Sequence, residues 1–574
     1  MADKNNKRKF NYLSVLVLLV INIFSMNFTA NAGGNIISVA SSGDVIYKPE
    51  ATSLTLTPSD ATPGVALTAS YTFVDKNGRS EVPSSRQVRW YRNSVLDSGH
   101  NNLLTLPASV TADGELWYYT LQVSDGLLTS DIYTSPSVLV TSAQKIQITV
   151  SPNITLGYNQ EELGVQLDYD DWKHITGKAS GDYTPFLQAM NVKIIRVFVY
   201  RQNNLNPNSV YGPCSNWDSS THTGTWNWDN MDLVVNTIRS MGAEPLLVLM
   251  HPWSTLPFPR NPTGMSTDPN TLLPYPDDWG KYCAEWVKHY GNKVKYYEVM
   301  NEPYQYWHWS PDTVRLSQLM ALYSSAYNAM KAINPNLIIS HDAVMIKDVL
   351  KYQKENNIPF DTFDFHGYGG SALTDSDSTI FDMAGTYLTK LSPSRYTYAE
   401  AESYYGKDLP IIDSETNFSW AVSPPDTRNQ LIDGAVFNAL QLIIGAMKGV
   451  SYRIHYIVGS TAGGWGFINS GTNTPFKTYY VYKLFGQNLF KGDVLIQSLS
   501  ASSDVVTLSW KHGGVLYLMA VNKGVTTQSL TLSGMTPQSY TLIDSSNNEL
   551  VGSYSPSVVL PSYSIILFKS VIPS

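Results

Sequence analysis

Between residues 192 and 200 the chain reads VKIIRVFVY, a nearly unbroken β-branched and apolar run with one arginine in it. A strand buried on both faces has this pattern; a strand with one wet face would alternate. The same kind of run returns at LGVQLDY (163–169), EPLLVLMHP (244–252), VKYYEVMNEP (294–303), LIISHDAV (337–344), DTFDFHGY (361–368), DLPIIDSET (408–416) and SYRIHYIVG (451–459). Segments with helical spacing lie between several of them, as in DYTPFLQAMN, MDLVVNTIRSMG and DDWGKYCAEWVKHYG. Eight strand candidates alternating with helices over residues 150–488 predict a (β/α)8 TIM barrel. An open doubly wound sheet is the alternative, but no glycine-rich phosphate loop follows the first strand.

The flanks have a different rhythm. Residues 51–148 show short alternating strands: SLTLTP, ALTASYTFVDKNGRS, VRWYRNS and DGELWYYTLQVSDG. Asn77-Gly78 marks a hairpin there, and the spacing predicts a β-sandwich. Its Trp90 and Trp117 are expected in the core. Residues 489–574 return to short strands such as VVTLSW, VLYLMAVNK and YSIILFK, predicting a second, C-terminal β-sandwich. Residues 33–50, small and Gly/Ser-rich, read as a linker.

At the N-terminus, Lys4, Lys7, Arg8 and Lys9 precede the apolar stretch 12–24, and Ala30-Asn31-Ala32 follows. This is the layout of a secretory signal peptide over 1–32, cleaved after Ala32, and so predicts a secreted, extracellular protein. An uncleaved anchor is the alternative, although the apolar run is shorter than the ~20 residues that a span needs. No later stretch has transmembrane character. Cys214 and Cys283 are the two cysteines, and the sequence leaves their pairing open.

Composition adds little to the fold but narrows the partners. The 574 residues carry a net charge of −8 and no long basic run, which argues against nucleic acid and anionic membrane surfaces. Aromatic residues make up 12% of the chain, which suits either large β cores or sugar-stacking surfaces.

The candidate chemistry sits at the C-terminal ends of the barrel strands, where the sites of such barrels lie. Arg196 lies in strand 2 and His251 ends strand 3. Asn301 and Glu302 end strand 4, His366 and Tyr368 end strand 6, and Glu415 ends strand 7. Tyr456 closes strand 8, and Trp465 follows in GGWGF. Two strand-end glutamates are what glycoside hydrolysis requires: one acid for the leaving oxygen, and one carboxylate to attack the anomeric carbon or activate water. Aromatics suited to a sugar slot crowd the same loops: Trp253, Tyr304, Tyr306, Trp307, Trp309, Trp420 and Trp465.

Asn-Glu-Pro after strand 4, His-x-Tyr after strand 6 and a glutamate after strand 7 together resemble clan A of the glycoside hydrolases, most closely families thirty-nine and five. The WYRN and DGELWYYTLQVSDG segments resemble immunoglobulin-like modules of exported microbial enzymes, without their cysteines. The clan resemblance implies a retaining enzyme on a (β/α)8 barrel. It implies Glu302 as general acid/base, Glu415 as nucleophile, and Asn301 as the partner of the sugar 2-hydroxyl. It further implies Tyr368 and Arg196 as supports of the nucleophile, and His251 and His366 as sugar-contacting or network histidines. Trp307 and Trp465 are expected against the substrate. Many clan members place a tryptophan on strand 8, where this chain has His455 and Tyr456. No cofactor or metal is expected. The substrate expected is a β-linked poly- or oligosaccharide cut by an endo-acting glycanase, with an exo-acting β-glycosidase and a non-catalytic carbohydrate-binding surface protein as alternatives. The immunoglobulin-like module is a candidate contact for a cell surface or polysaccharide, and a spacer is its plainer reading.

Overall fold

The computed structural model describes residues 36–572 except 40–44, 60, 141–143, 168–169, 200–212, 250–263, 272, 304–314, 391, 423 and 555–557. The predicted signal peptide, residues 1–32, therefore lies outside the described residues, as do His251 and Trp307. The chain divides into two compact units.

The first comprises residues up to Thr57, Thr68–Leu106 and Trp117–Ser137. Strands Glu50–Thr57, Leu67–Val74 and Thr105–Leu106 form one antiparallel sheet; Gln87–Arg92, Val95–Asp97, Leu116–Gln122 and their neighbours form a second. The sheets bury Trp90, Trp117 and Tyr119 completely. Two of their polar tips find acceptors: Trp90 Nε1 donates to Leu103 O at 2.9 Å, and Tyr119 OH to Ser70 O at 2.7 Å. The Asn77-Gly78 turn is not a hairpin. It follows Leu67–Val74, but the next strand, Gln87–Arg92, belongs to the other sheet. The two-residue hairpin is at Asn93-Ser94, with φ of 48° and 67°, between Gln87–Arg92 and Val95–Asp97. Both central residues need positive φ there, the requirement of a type I′ turn.

The second unit holds the barrel. Its strands are β1 (Glu162–Leu167), β2 (Ile194–Val199), β3 (Glu244–Leu249), β4 (Tyr296–Val299), β5 (Ile338–Ser340), β6 (Phe363–Gly370), β7 (Ile411–Ser419) and β8 (Val450–His455). They form one parallel sheet in the order β5-β4-β3-β2-β1-β8-β7-β6. The two ends meet: Asp361 N–H donates to Ile339 O at 3.0 Å, and Ser340 Oγ to Asp364 Oδ2 at 2.7 Å. Every residue of β2 and β7 is buried, which explains the absence of alternation in their sequences. Inside the barrel, Ile194, Leu246, Ile412 and Ile454 fill one layer. Gly164 of β1 faces it; a Cβ there would stand 2.6 Å from Ile194 Cγ2 and 2.7 Å from Ile454 Cγ1.

Helices cover the outside. Pro276–Tyr290 shows why they begin and end where they do: proline opens its first turn, Asp277 and Asp278 sit at the positive end of its dipole, Lys288 and His289 sit at the other, and Gly291 stops it with φ 53°. Cys214 and Cys283 are both buried and free.

Nine further strands form a single sheet, not two independent layers. It recruits Gln144–Tyr158, which runs parallel to Gln528–Ser533 and antiparallel to Val494–Ser500. One strand thus crosses the boundary that the sequence rhythm suggests near 148–150. The sheet curls around a core of its own that includes Ile148, Leu518, Leu530 and Phe568. Its other face, including Trp510, Met519 and Leu567, joins the core of the barrel and its helices. Among the described residues, no helix is long and apolar enough to cross a membrane.

Candidate active site

Arg196 organises the C-terminal mouth of the barrel. It is fully buried, and its position on β2 aims the guanidinium across the interior. Nε donates to Glu298 Oε2 at 2.8 Å and Nη2 to Glu298 Oε1 at 2.6 Å, a bidentate grip on a fully buried carboxylate. Nη1 donates to Glu415 Oε2 at 2.7 Å and also to Gln166 Oε1. Nη2 further donates to Asn301 Oδ1 at 2.6 Å, which leaves the Asn301 amide nitrogen as that side chain's donor. Burial alone would lower the arginine's pKa, but the charges of Glu298 and Glu415 outweigh it and hold it raised. The site therefore has a permanent positive charge beneath Glu415.

Glu415 is placed by a bulge. Phe365 pairs with Asp413, but His366 pairs with Glu415, so Ser414 is the extra residue on β7. Bulges of this kind re-aim side chains beside active sites. The second Glu415 oxygen accepts from Tyr368 OH at 2.6 Å. Burial first, and then the Glu415 charge, push the Tyr368 phenol well above its ordinary pKa, so it remains a donor.

Glu302 stands at the end of β4 on a strained turn. Met300 and Glu302 have φ of 70° and 46°, in the left-handed region that non-glycine residues avoid. Such residues cost about 1–3 kcal/mol each and gather at functional sites. The turn is tied down by Asp342, whose Oδ2 accepts from Glu302 N–H at 2.6 Å. On the side chain, Glu302 Oε1 lies 3.0 Å from His366 Nδ1. One oxygen each of Glu302 and Glu415, with a nitrogen of His366, lie within 4.8 Å of one another.

His366 links the two halves. Its Nδ1 is 4.0 Å from Glu415 Oε1, and its Nε2 is 3.1 Å from Asp342 Oδ2. Burial is the main reason its pKa is lowered to about 4, so it is neutral at ordinary pH. Around it, burial and then Glu298 push Asp364 up to about 8.

The two glutamates, His366, Tyr368 and Trp465 line one cavity of about 530 Å³, together with Tyr387, Arg395, Trp420 and Tyr456. Trp465 is fixed from two sides. Its Nε1 donates to Ser419 O at 3.1 Å, and its carbonyl accepts from Asn417 Nδ2 at 2.9 Å. Its ring centroid lies 5.9 Å from that of Tyr456, so these two rings meet just beyond β8.

Arg196, Asn301, Glu302, His366, Tyr368, Glu415 and Trp465 are thus brought together. Glu298, Asp342 and Gln166 are functional neighbours that sequence reasoning passed over, each being read as part of a strand. The signal that could have found them is a charged or amide side chain inside a run that is otherwise apolar. Two groups have the donor spacing of a cation site: Glu298, Asp342 and His366; and Glu302, His366 and Glu415. In each, one carboxylate is also held by Arg196.

No family model matches the chain, and no curated protein matches its sequence. Solved structures do match. A glucosidase from Croceicoccus marinus aligns over 76% of this chain and all of its own, with a TM-score of 0.54 and 14% identity. A family 39 β-xylosidase from Caulobacter crescentus aligns over 74% of this chain and all of its own, with a TM-score of 0.51 and 16% identity. CelM2, a bifunctional glucanase-xylanase from a metagenome library, aligns over 75% of this chain and all of its own, with a TM-score of 0.51 and 15% identity. The chain has the fold of these glycosidases. At such identities the likeness is one of architecture, and the chemistry has to be argued from the residues in the mouth of the barrel.

Proposed function

We propose that the protein is a retaining β-glycoside hydrolase in which Glu415 is the nucleophile and Glu302 the general acid/base. The observation that carries this reading is the separation of the two carboxylates, with one oxygen of each within 4.8 Å. Retaining enzymes hold their pair ~5–5.5 Å apart, and inverting ones ~6.5–9.5 Å, to leave room for a water. The surroundings also distinguish the roles. Glu415 receives a hydrogen bond from a guanidinium and another from a phenol, which fix both of its oxygens. Glu302 meets a neutral imidazole and is partly open to the cavity.

In the first step a Glu415 oxygen bonds to the anomeric carbon while the bond to the leaving oxygen breaks. Glu302 gives its proton to that oxygen. In the second step Glu302, now a carboxylate, takes a proton from water; the water oxygen bonds to the anomeric carbon and Glu415 departs. These steps need no cofactor. Asn301, with its amide nitrogen free to donate beside Arg196, is suited to a sugar hydroxyl.

The substrate we propose is a β-linked polysaccharide cut internally. Trp420 lines the cavity yet is 50% exposed, and Val422 next to it is 65% exposed. This apolar surface extends outward from the catalytic pair, as a bound chain longer than one sugar requires. The glucosidase, xylosidase and glucanase-xylanase named above place glucose- and xylose-based substrates first in a screen. Export through the N-terminal leader remains part of the proposal, and N-terminal sequencing of the secreted protein tests it. The function is tested by incubating the full chain with β-glucan, xylan and mannan and following viscosity, reducing sugar and product anomer by NMR. Early viscosity loss with β-anomer product is expected; inversion, or no turnover on any polymer or aryl β-glycoside, overturns the reading.

A further inference from the structure

The contacts of His366 determine which of its nitrogens carries the proton. Its Nδ1 faces two carboxylates, Glu302 Oε1 at 3.0 Å and Glu415 Oε1 at 4.0 Å. Its Nε2 faces the Arg196 guanidinium, 3.5 Å from Nη2. A neutral imidazole has one N–H and one lone pair, and its neighbours select the tautomer. An N–H at Nδ1 points at Glu302 and Glu415. The nearest group to Nε2 is a carboxyl oxygen of Asp342, at 3.1 Å, and both hydrogens of Arg196 Nη2 are already given to Glu298 and Asn301. The protonation of Asp342 therefore selects between the two tautomers.

Asp342 Oδ2 lies 3.1 Å from Nε2. One proton lies between these atoms; carried on Oδ2 it is donated to Nε2, and the imidazole N–H is then at Nδ1, facing Glu302. The same oxygen still accepts from Glu302 N–H at 2.6 Å, as a carboxylic hydroxyl can. The other oxygen, Oδ1, is buried with no hydrogen-bond partner among the described residues, a costly place for half of a negative charge. The charged groups facing Asp342 agree. Glu298 from β4, Glu302 beyond it and Asp364 from β6 are acidic. Arg196 from β2 is basic, but is already shared between Glu298 and Glu415. Burial first, then these acids, raise the Asp342 carboxyl well above the ordinary range.

We propose that Asp342 stands as the neutral acid and donates its proton to His366 Nε2, fixing the Nδ1–H tautomer and keeping a donor on Glu302 Oε1. This rests on reading Glu302 as the acid/base. Asp342 is a positioning residue: it touches no substrate and acts through His366. In the first step Glu302 loses its own proton to the leaving oxygen, while His366 and Asp342 keep theirs. The waiting N–H then stabilises the new carboxylate until water delivers a proton in the second step. Ionisation of Asp342 would turn His366 to the Nε2–H form and put a lone pair against Glu302.

The direct test is NMR of the full chain labelled with [15N]histidine, without substrate, with His366 assigned by its loss in His366→Gln. A protonated Nδ1 and unprotonated Nε2 between pH 5 and 8 are expected; a protonated Nε2 overturns the proposal. This readout does not depend on turnover, so it stands or falls apart from the glycosidase reading. The kinetic arm uses Asp342→Ala and the pH profile of kcat/KM on an aryl β-glycoside. Loss of a donor to a carboxylate raises that carboxyl's pKa, so the basic limb should rise by about one unit. A fall, which removal of an ionised Asp342 would cause, overturns the proposal. So does an unmoved limb with a lower kcat, the result of a packing role alone. Should Asp342→Ala fail to fold, the labelled wild-type protein decides the matter.

Discussion

Arg196 Nη1 donates to Glu415 Oε2 at 2.7 Å while the rest of the same guanidinium grips Glu298 from two nitrogens. One side chain therefore both charges the surroundings of Glu415 and fixes its position against β4. Lysine keeps the charge but not the fork. Arg196→Lys is expected to lower kcat/KM by about 100-fold or more, the scale of losing a preorganised donor. Removing the charge altogether, as in Arg196→Met, leaves Glu298 buried and unpaired, and should cost about 3–5 kcal/mol in a denaturant titration.

Tyr368 supplies the other donor to Glu415. Tyr368→Phe removes one oxygen and leaves the ring. A hydrogen bond to a charged group contributes ~1.5–3 kcal/mol, so kcat should drop about 10- to 100-fold with stability nearly unchanged. Steady-state kinetics beside a thermal melt would check both halves of that statement.

Trp420 and Trp465 should separate by substrate length. Trp420 is half exposed at the cavity, whereas Trp465 is tied down at Nε1 and at its carbonyl. Trp420→Ala is expected to raise KM on a polysaccharide several-fold while barely affecting an aryl monosaccharide, because it removes binding remote from the bond being cut. Trp465→Ala should impair both substrates.

His455 gives a pH prediction away from Glu302 and Glu415. It is fully buried, its ring centroid 3.8 Å from that of Phe467, and burial is the main cause that lowers its pKa to about 3. The folded state holds it neutral, while the unfolded chain protonates it near pH 6.5. Its contribution to stability is therefore complete above that value and lost as pH falls toward 3. Against a His455→Gln variant, the wild type should lose about 2 kcal/mol between pH 7 and pH 5. Urea titrations of both proteins at the two pH values measure this difference; a gap that stays constant with pH would contradict it.

What could be read from the chain follows from which contacts are local. The eight runs from LGVQL to SYRIH announced buried parallel strands because they lack alternation, and the polar residues at their ends pointed to the mouth of the barrel. Glu302 and Glu415 lie over a hundred residues apart, yet each sits at a strand end, and barrel closure does the rest. Asp342 was legible only as the polar end of a strand, because its partners, Glu302 N–H and His366, come from the neighbouring β4 and β6 ends. The role of Gln144–Tyr158 was unreadable for a different reason. Its parallel partner begins at Gln528, and no local pattern encodes a pairing across such a separation. The Asn77-Gly78 turn misled because a tight turn fixes local φ, not which sheet the next strand joins.

The central claim is that Glu415 forms a covalent bond to the sugar. Incubation with a 2-deoxy-2-fluoro β-glycosyl fluoride of the preferred sugar, followed by peptide mass spectrometry, tests it most directly. The account predicts one glycosyl adduct, on the peptide bearing Glu415, with Glu302 unmodified. An adduct on another residue, or steady turnover of natural substrate with inverted product and no adduct, would contradict it.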